Sequence, residues 1–451
     1  MALHKDHRIN RHKQQGLSED NLLQEAEKES EKLNLTGGVK QANKKDEPQE
    51  NGTHQTKESD KESVSDQITE GIHEENLHKE MRGELFKYEA ADWMAPMTKI
   101  PKYRIKLAVT NTPIHRWNLP GIPEEFKIFI KRDDLTGSTL SGNKVRKLDF
   151  LFAEAVAQGY KHVITGGEIQ SNHCRSVAIA ARELGMRSHL ILRSVRPERN
   201  HIKFEGNMLL NGLLGCKIYL VQKEAGFPVN LKPRIDKLKQ HIESTTGEKC
   251  YVIPIGGSDE VGVFGYIEAF REMIGQGVCE RFDDVVVATC GLGNTLAGIA
   301  IGNYLTGSHL RCHGICVSGS GDNIIPSING VLTQLGLHGV EAENIANIIN
   351  GYCGDGYGLS TSEELDYIRH VCSETGIVLD PVYTGKTTLG LVQILNKTPE
   401  IFKGKRILFI HTGGIFIVTD GRLTDMLNNS ETVLQQLVAW PNEDILPSDI
   451  S

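Results

Sequence analysis

No apolar run in these 451 residues approaches the ~20 that a membrane-crossing helix needs. An excess of positive charge is missing too. Lys and Arg number 50 against 58 Asp and Glu, a formal net charge of -8. Nothing in that balance drives binding to a phosphate backbone, so no nucleic acid and no membrane is expected as partner. No C-x-x-C pair occurs among the nine cysteines, all of which lie at or after Cys174. Their number is odd, and Cys312 and Cys316 sit four apart on one face of a strand-like stretch. Buried small hydrophobes are the expectation there, metal ligation the alternative, and no metal site is anticipated.

The first 80 residues contain no Phe, Trp, Tyr or Cys. They carry 12 basic and 18 acidic residues, which leaves the other 371 nearly balanced at 38 and 40. Such a segment cannot bury enough surface to offset its ordering entropy, so 1–80 reads as a disordered acidic tail. Its opening, MALHKDHRIN, lacks the apolar core of a signal peptide, and Asp6, Glu19 and Asp20 do not suit a transit peptide. A cytoplasmic location is the resulting expectation.

What is present is an alternation. From about residue 100, short β-branched runs at 127–131, 162–165, 189–192, 217–221, 251–255, 284–289, 313–317 and 406–410 are joined by glycine-rich turns. Helical periods follow several of them, at 143–158, 172–184, 261–274, 295–304 and 384–395, and Ser360 with Glu363 forms a capping box before a helix at 361–374. Gly is abundant, 46 of 451, against a usual ~7%. Nearly continuous apolar strands in a β-α rhythm predict parallel sheets covered on both faces. Ligands of such sheets bind beyond the carboxyl ends of the strands, where loops enter helices.

Four loops there carry chemistry. In Lys131–Lys147 a lysine, Lys144, stands near a helix start. The helix dipole and desolvation both lower the pKa of an amine so placed, which suits a Schiff-base lysine. A solvated charge in a basic stretch is the alternative. In Gly166–Cys174, Ser171 and Asn172 are good N-caps, and the free N–H groups behind them suit a carboxylate. In Thr289–Gly298, glycines, amides and Thr295 suit a phosphate, although the loop is neither a Walker A sequence nor G-x-G-x-x-G. The fourth group gathers Tyr357, Tyr383 and Thr412 near Gly-rich turns, where a tyrosine stacks on a flat ring or simply packs. No Ser/His/Asp order and no H-E-x-x-H stands out. A lysine, a phosphate loop, a carboxylate loop and a ring platform together fit pyridoxal 5'-phosphate held through a Schiff base.

The ordered set NTPIHR, KRDDLTG…GNKVRKL, GG…QSNHCR…AARELG, GNTLAG, GYG, DPVYTGK and HTGG resembles the D-cysteine desulfhydrase / 1-aminocyclopropane-1-carboxylate (ACC) deaminase family, over about residues 100–420. These are fold-type II, tryptophan-synthase-β-like pyridoxal-phosphate enzymes. The resemblance implies an α/β fold of two parallel-sheet domains: a large cofactor-binding domain from 81–144 and 256–451, and a small α/β domain at 145–255. It implies a homodimer acting on a small amino-acid substrate. It assigns Lys144, Tyr383 and Ser171 to catalysis, with Lys144 carrying the cofactor and taking the substrate α-proton. It assigns cofactor contacts to Asn172, Cys290, Gly291, Leu292, Gly293, Asn294, Thr295, Tyr357 and Thr412, and substrate contacts to Ser171, Asn172, His173 and Thr384.

ACC deaminases of the family carry Glu after the Tyr of DPVY and Leu before the final Gly-Gly. This chain has Thr384 and Thr412, the desulfhydrase-like pattern. The implied reaction is β-elimination of D-cysteine to sulfide, pyruvate and ammonia. The alternatives are ACC deamination, elimination from another small amino acid, or a non-catalytic ligand-binding protein. Three departures from the family pattern motivate the last of these: Leu292-Gly-Asn-Thr295 in the phosphate loop, Glu168 in place of Gly, and Ile417-Val418 after HTGG. The first is expected to crowd the phosphate or to force a positive φ on Asn294.

Overall fold

The structure, a computed structural model, describes residues 83–437 except Ala225, Phe227, Pro228, Cys290 and Ser320. The tail expected at 1–80 lies outside the described residues.

A short antiparallel ribbon, β1 (Leu85–Lys87) with β2 (Tyr103–Ile105), precedes two larger sheets. A hairpin follows, β3 (Ile114–Arg116) antiparallel to β4 (Lys127–Lys131). The chain then winds through helix α1 (Asn143–Ala157), β5 (His162–Glu168), α2 (Asn172–Glu183), β6 (Arg187–Ser194), α3 (Gly206–Leu213), β7 (Lys217–Gln222), α4 (Leu231–Thr246) and β8 (Cys250–Val252). These four strands make a wholly parallel sheet in the order β7-β6-β5-β8.

The chain next returns to the hairpin's sheet. It adds α5 (Phe264–Gly275), β9 (Asp284–Thr289), α6 (Asn294–Leu305), β10 (Arg311–Cys316), α7 (Ile324–Gln334), β11 (Asn347–Ile349), α8 (Ser362–Thr375), α9 (Thr384–Lys397) and β12 (Arg406–Ile410). The result is a six-stranded sheet, β11-β10-β9-β12-β4-β3, parallel apart from its β3 edge. The last long strand thus inserts between β9 and β4, with Leu408 opposite both Val285 and Phe129. Two separate apolar clusters pack on this sheet. One holds Val285 and Val287, the other Val286 and Phe409, as expected for alternate side chains of strands buried on both faces. Cys312 and Cys316 are buried in the first cluster, and burial pushes Cys312 up to about 12. No cluster of metal ligands occurs among the described residues.

Three local expectations shift. The strand expected at 251–255 ends at Val252, because Pro254 has no N–H to pair and Gly256 and Gly257 take φ values of 70° and 61°. The capping box lies one residue later than expected. Thr361 Oγ1 accepts from Glu364 N, while Ser360 Oγ donates to the Pro381 carbonyl instead. Asn294 has no positive φ; the left-handed positions of its loop are Gly291 and Gly293, at 63° and 64°.

A buried ion cluster secures the stretch between β4 and α1. Arg146 contacts Asp133 at 2.8 Å and Glu272 at 2.8 Å, and Lys131 reaches Glu272 at 2.7 Å. Burial alone would raise the Asp133 carboxyl, but Arg146 and Lys131 outweigh it and hold the group near 2. Removing one member would leave a buried charge unpaired, at a cost of ~3–5 kcal/mol. Both ends of the lysine loop are therefore fixed.

Candidate active site

A cleft of about 510 Å³, including its open mouth, lies at the carboxyl ends of β4, β9 and β12 and beside the start of α2. Its lining includes Lys144, Lys147, Asn172, Asn294, Thr295, Tyr383 and Thr412. No carboxylate occurs among the described residues that line it.

Lys144 occupies the second position of α1, and its Nζ donates to the Gly256 carbonyl at 3.3 Å. Main-chain packing sets that helix start. Gly142 has φ 89°, and a Cβ there would stand 2.8 Å from the Thr412 carbonyl oxygen. A Cβ on Gly413 would likewise stand 2.7 Å from Gly142 Cα. Asn143 N–H donates to the Thr412 carbonyl at 3.0 Å, so the Gly-Asn-Lys and Thr-Gly-Gly turns are locked face to face. His411 braces the second turn: it contacts the Val378 carbonyl at 3.0 Å and accepts from Gly413 N–H at 3.2 Å.

Lys147 is one helical turn beyond Lys144 and shares its acceptor, the Gly256 carbonyl, at 3.4 Å. It is 2% exposed. Burial, reinforced by the neighbouring Lys144 charge, holds its amine well below the usual lysine range. The sequence reading missed it, although the i, i+3 spacing from Lys144 was the available signal. Asn143, Ser258 and Ala288 also line the cleft, and no local motif marks Ser258.

The phosphate-loop residues divide. Gly293 caps α6, whose first N–H groups have no intrahelical partners. Asn143 Nδ2 donates to Thr295 Oγ1 at 3.1 Å, which leaves that hydroxyl's hydrogen for another acceptor. Asn294 Nδ2 donates to the Asp259 carbonyl, and its Oδ1 is buried without a partner. Leu292 is 45% exposed. Cys290 lies outside the described residues. The departure from the family sequence therefore leaves the helix start open, because the two glycines absorb the turn and Leu292 is exposed on the surface.

On the opposite wall, Asn172 lines the cleft. Ser171 is the N-cap of α2, its Oγ accepting from Cys174 N–H at 3.1 Å. His173 is buried behind the cleft with Nε2 2.9 Å from Thr165 Oγ1. Burial and the nearby lysines keep His173 well below the usual histidine range, hence neutral. Ser171, His173, Tyr357 and Thr384 are not among the lining side chains.

Tyr383 opens α9, and its hydroxyl is 2.6 Å from the Tyr357 hydroxyl. Buried Asp380 fixes this helix start by accepting from Val382 N, Tyr383 N, Thr384 N and Thr384 Oγ1. The Thr384 hydroxyl is thus committed to Asp380. Lys386 Nζ holds the Tyr357 loop through the Cys353 and Gly356 carbonyls at 2.6 and 3.0 Å, and Arg422 holds the Gly358 carbonyl at 2.9 Å.

A phosphorylated aldehyde on a flat ring needs an amine, an anion cradle and hydrogen-bond partners for the ring. The cleft offers Lys144, the amino end of α6 with Thr295, and Asn172 with Thr412, so the residues present fit such a group.

Comparison with known proteins agrees. Residues 105–413 match the family described as "Pyridoxal-phosphate dependent enzyme". The bifunctional D-cysteine desulfhydrase/ACC deaminase, mitochondrial, of Arabidopsis thaliana is 44% identical over 339 residues, 74% of this chain and 83% of the relative. A D-cysteine desulfhydrase of Klebsiella pneumoniae is 34% identical over 326 residues, 70% of this chain and 95% of the relative. A solved ACC deaminase homologue superposes with a TM-score of 0.64 at 35% identity, covering 75% of this chain and 100% of that one. No described helix is long and apolar enough to cross a membrane. With its motifs, its cleft and its relatives in accord, the chain belongs to the pyridoxal-phosphate dependent enzymes, in their D-cysteine desulfhydrase/ACC deaminase group, and its cofactor is pyridoxal 5'-phosphate.

Proposed function

We propose that this enzyme is a carbon–sulfur lyase that converts D-cysteine and water to sulfide, pyruvate and ammonia. The observation that carries the reading is the cleft wall. It presents two lysines, asparagines and Thr412, with no carboxylate among its described residues. A neutral hydroxyl beside the ring nitrogen stabilises a positive ring less than a carboxylate would. That suffices for β-elimination, where the departing thiolate carries away the developing negative charge. Opening the strained ring of ACC calls for a stronger electron sink.

When bound, pyridoxal phosphate supplies the electron sink for the electrons left on the α-carbon. Lys144 anchors it and takes the α-proton. The residues from Cys290 to Thr295, which lead into α6, would hold the phosphate. Asn172 would hold the ring oxygen, and Thr412 would face the ring nitrogen. The start of α2, with Ser171, Asn172 and His173 behind it, receives the substrate carboxylate. Tyr383 moves a proton to the departing sulfur, with Tyr357 setting its hydroxyl at 2.6 Å. Thr384 acts by donating to Asp380 at 2.7 Å, and Asp380 in turn accepts from Tyr383 N–H at 2.8 Å.

The same reading divides the chain into a small domain at 145–255 and a larger one from 81–144 and 256–451, supported by the two separate sheets. It makes the protein a homodimer, which sedimentation tests. It locates the protein in the cytoplasm, in keeping with eight free cysteines among the described residues. Fractionation of the source cells tests that location; the Arabidopsis relative is named mitochondrial.

The deciding experiment supplies the cofactor-loaded protein with D-cysteine and measures products. Pyruvate and sulfide in equal amounts are expected. 2-Oxobutyrate from ACC at a higher rate would reassign the substrate. No product from any small amino acid, by a protein that takes up no cofactor, would make it a ligand-binding protein.

A further inference from the structure

Asn207 lies on α3, distant in sequence from every motif, and is fully buried. Its side chain makes three hydrogen bonds. Oδ1 accepts from Arg175 Nε at 2.8 Å, and Nδ2 donates to the Gln170 carbonyl and to Asn172 Oδ1, each at 2.9 Å. Two of these partners have only one role open to them. A guanidinium donates and never accepts; a main-chain carbonyl accepts and never donates. Asn207 therefore has a single amide orientation, specified from both sides.

That orientation determines the next one. Asn172 meets an NH2 group, so its oxygen must face Asn207, and its own NH2 is left for the cleft that it lines. Without this contact the two ends of the Asn172 amide, nearly equal in shape, would compete for the same site. An NH2 facing a cofactor oxygen attracts it; a carbonyl facing it repels it.

The outer members are themselves fixed. Arg175 is 1% exposed, donates to the Thr139 carbonyl and to the Ser141 carbonyl at 3.2 Å, and lies 4.9 Å from the Phe416 ring centroid. No carboxylate pairs with it among the described residues; burial alone brings it down to about 10, so it stays charged at neutral pH. Gln170 Oε1 accepts from Asn207 N–H at 2.9 Å, and its Nε2 donates to the Glu205 carbonyl at 3.0 Å.

We propose that Arg175, Asn207 and Asn172 form an orientation relay in which Asn207 is a positioning residue, holding Asn172 so that its NH2 donates to the ring oxygen of the cofactor. This rests on the reading that Asn172 touches that oxygen.

The test is Asn207→Asp in the full-length chain, stripped of cofactor and titrated with pyridoxal phosphate while the visible absorbance is followed. Both carboxylate oxygens only accept. Arg175 keeps its partner and gains a counter-ion, while the Gln170 carbonyl loses its donor, so a purely structural role predicts a lower apo melting temperature with unaltered cofactor binding. The relay predicts that Asn172 turns its NH2 inward and its oxygen to the cleft. Cofactor Kd then rises about tenfold, the scale of one lost hydrogen bond to a charged group, and the absorbance band shifts. Asn172→Ala is expected to weaken binding by a similar factor, and the double variant no further than Asn172→Ala alone.

Asn207→Asp with unchanged Kd and spectrum, beside a weakened Asn172→Ala, would overturn the relay and leave the Asn172 contact standing. Full additivity of the two losses would overturn it as well. Asn172→Ala with unaltered binding would remove the contact itself, and the relay with it. If the apo melting temperature shows that Asn207→Asp does not fold, Asn207→Ala carries the same comparison. Its expected loss is about twofold, because Asn172 is then free to sample both orientations and only half the molecules present the donor.

Discussion

The two walls of the cleft are built by different means. On the side of the six-stranded sheet, glycine main chain is packed too closely for a side chain: Gly142 lies against the Thr412–Gly413 main chain, and Gly414 against the Asp380 side chain, where a Cβ would stand 2.6 Å from the carboxylate. On the side of the four-stranded sheet, the wall is an array of buried amides and one guanidinium around Asn207. The first wall fixes position by excluding volume. The second fixes the direction of a donor. A glycine contact tolerates no added carbon, whereas an amide network tolerates changes of shape better than changes of donor to acceptor.

The sharpest way to break this contrast is at the anchor itself. Lys144→Ala should lower turnover by about 10³-fold or more and abolish the visible cofactor band. Retained activity would remove the residue from the chemistry. Tyr383→Phe is expected to slow turnover about 10²-fold while cofactor Kd stays unchanged, because the ring remains and only the proton-moving hydroxyl is lost. Equal losses in both measurements would mean that Tyr383 shapes the cofactor site instead.

The glycines test the walls directly. Gly142→Ala adds a carbon against a carbonyl oxygen at positive φ, and a loss of roughly 2–4 kcal/mol in chemical denaturation is expected. Gly166→Ala, on β5, meets nothing closer than 3.4 Å and should cost no more than about 1 kcal/mol. Equal costs would mean that close packing at Gly142 does not fix its turn.

The smallest effect concerns Lys147. Its folded-state pKa lies below its unfolded value, so between the two the unfolded chain binds more protons and apo stability rises with pH. Lys147→Met removes that slope. The variant should melt about 2–4 °C above the parent at neutral pH, with the gap closing as pH climbs toward 10.5. A gap that widens with pH would show that the buried amine is charged in the fold.

The backbone-built wall was the legible one. Glycines at fixed offsets mark Gly142, Gly413 and the α6 loop, and strands β4, β9 and β12 coincide with the apolar runs that predict them. The side-chain wall was not legible beyond Asn172, since Asn207 sits in an ordinary amphipathic helix and acquires its role only when β5, α2 and α3 pack. Two S/T-x-x-E patterns overlap at 360–364, and only the tertiary bond from Ser360 to Pro381 decides between them. The strain expected at Asn294 failed because sequence gave no measure of how two adjacent glycines would share the turn. Lys147 was overlooked although its spacing from Lys144 places it on the same helical face.

The contact between Gly142 and Gly413 joins positions near opposite ends of the described chain. During synthesis it cannot form until β12 has left the ribosome and slipped between β9 and β4. Lys144 is made early, yet the wall that aims it arrives almost last. A chain cut before β12 would keep Lys144 but lack the turn against which the start of its helix packs.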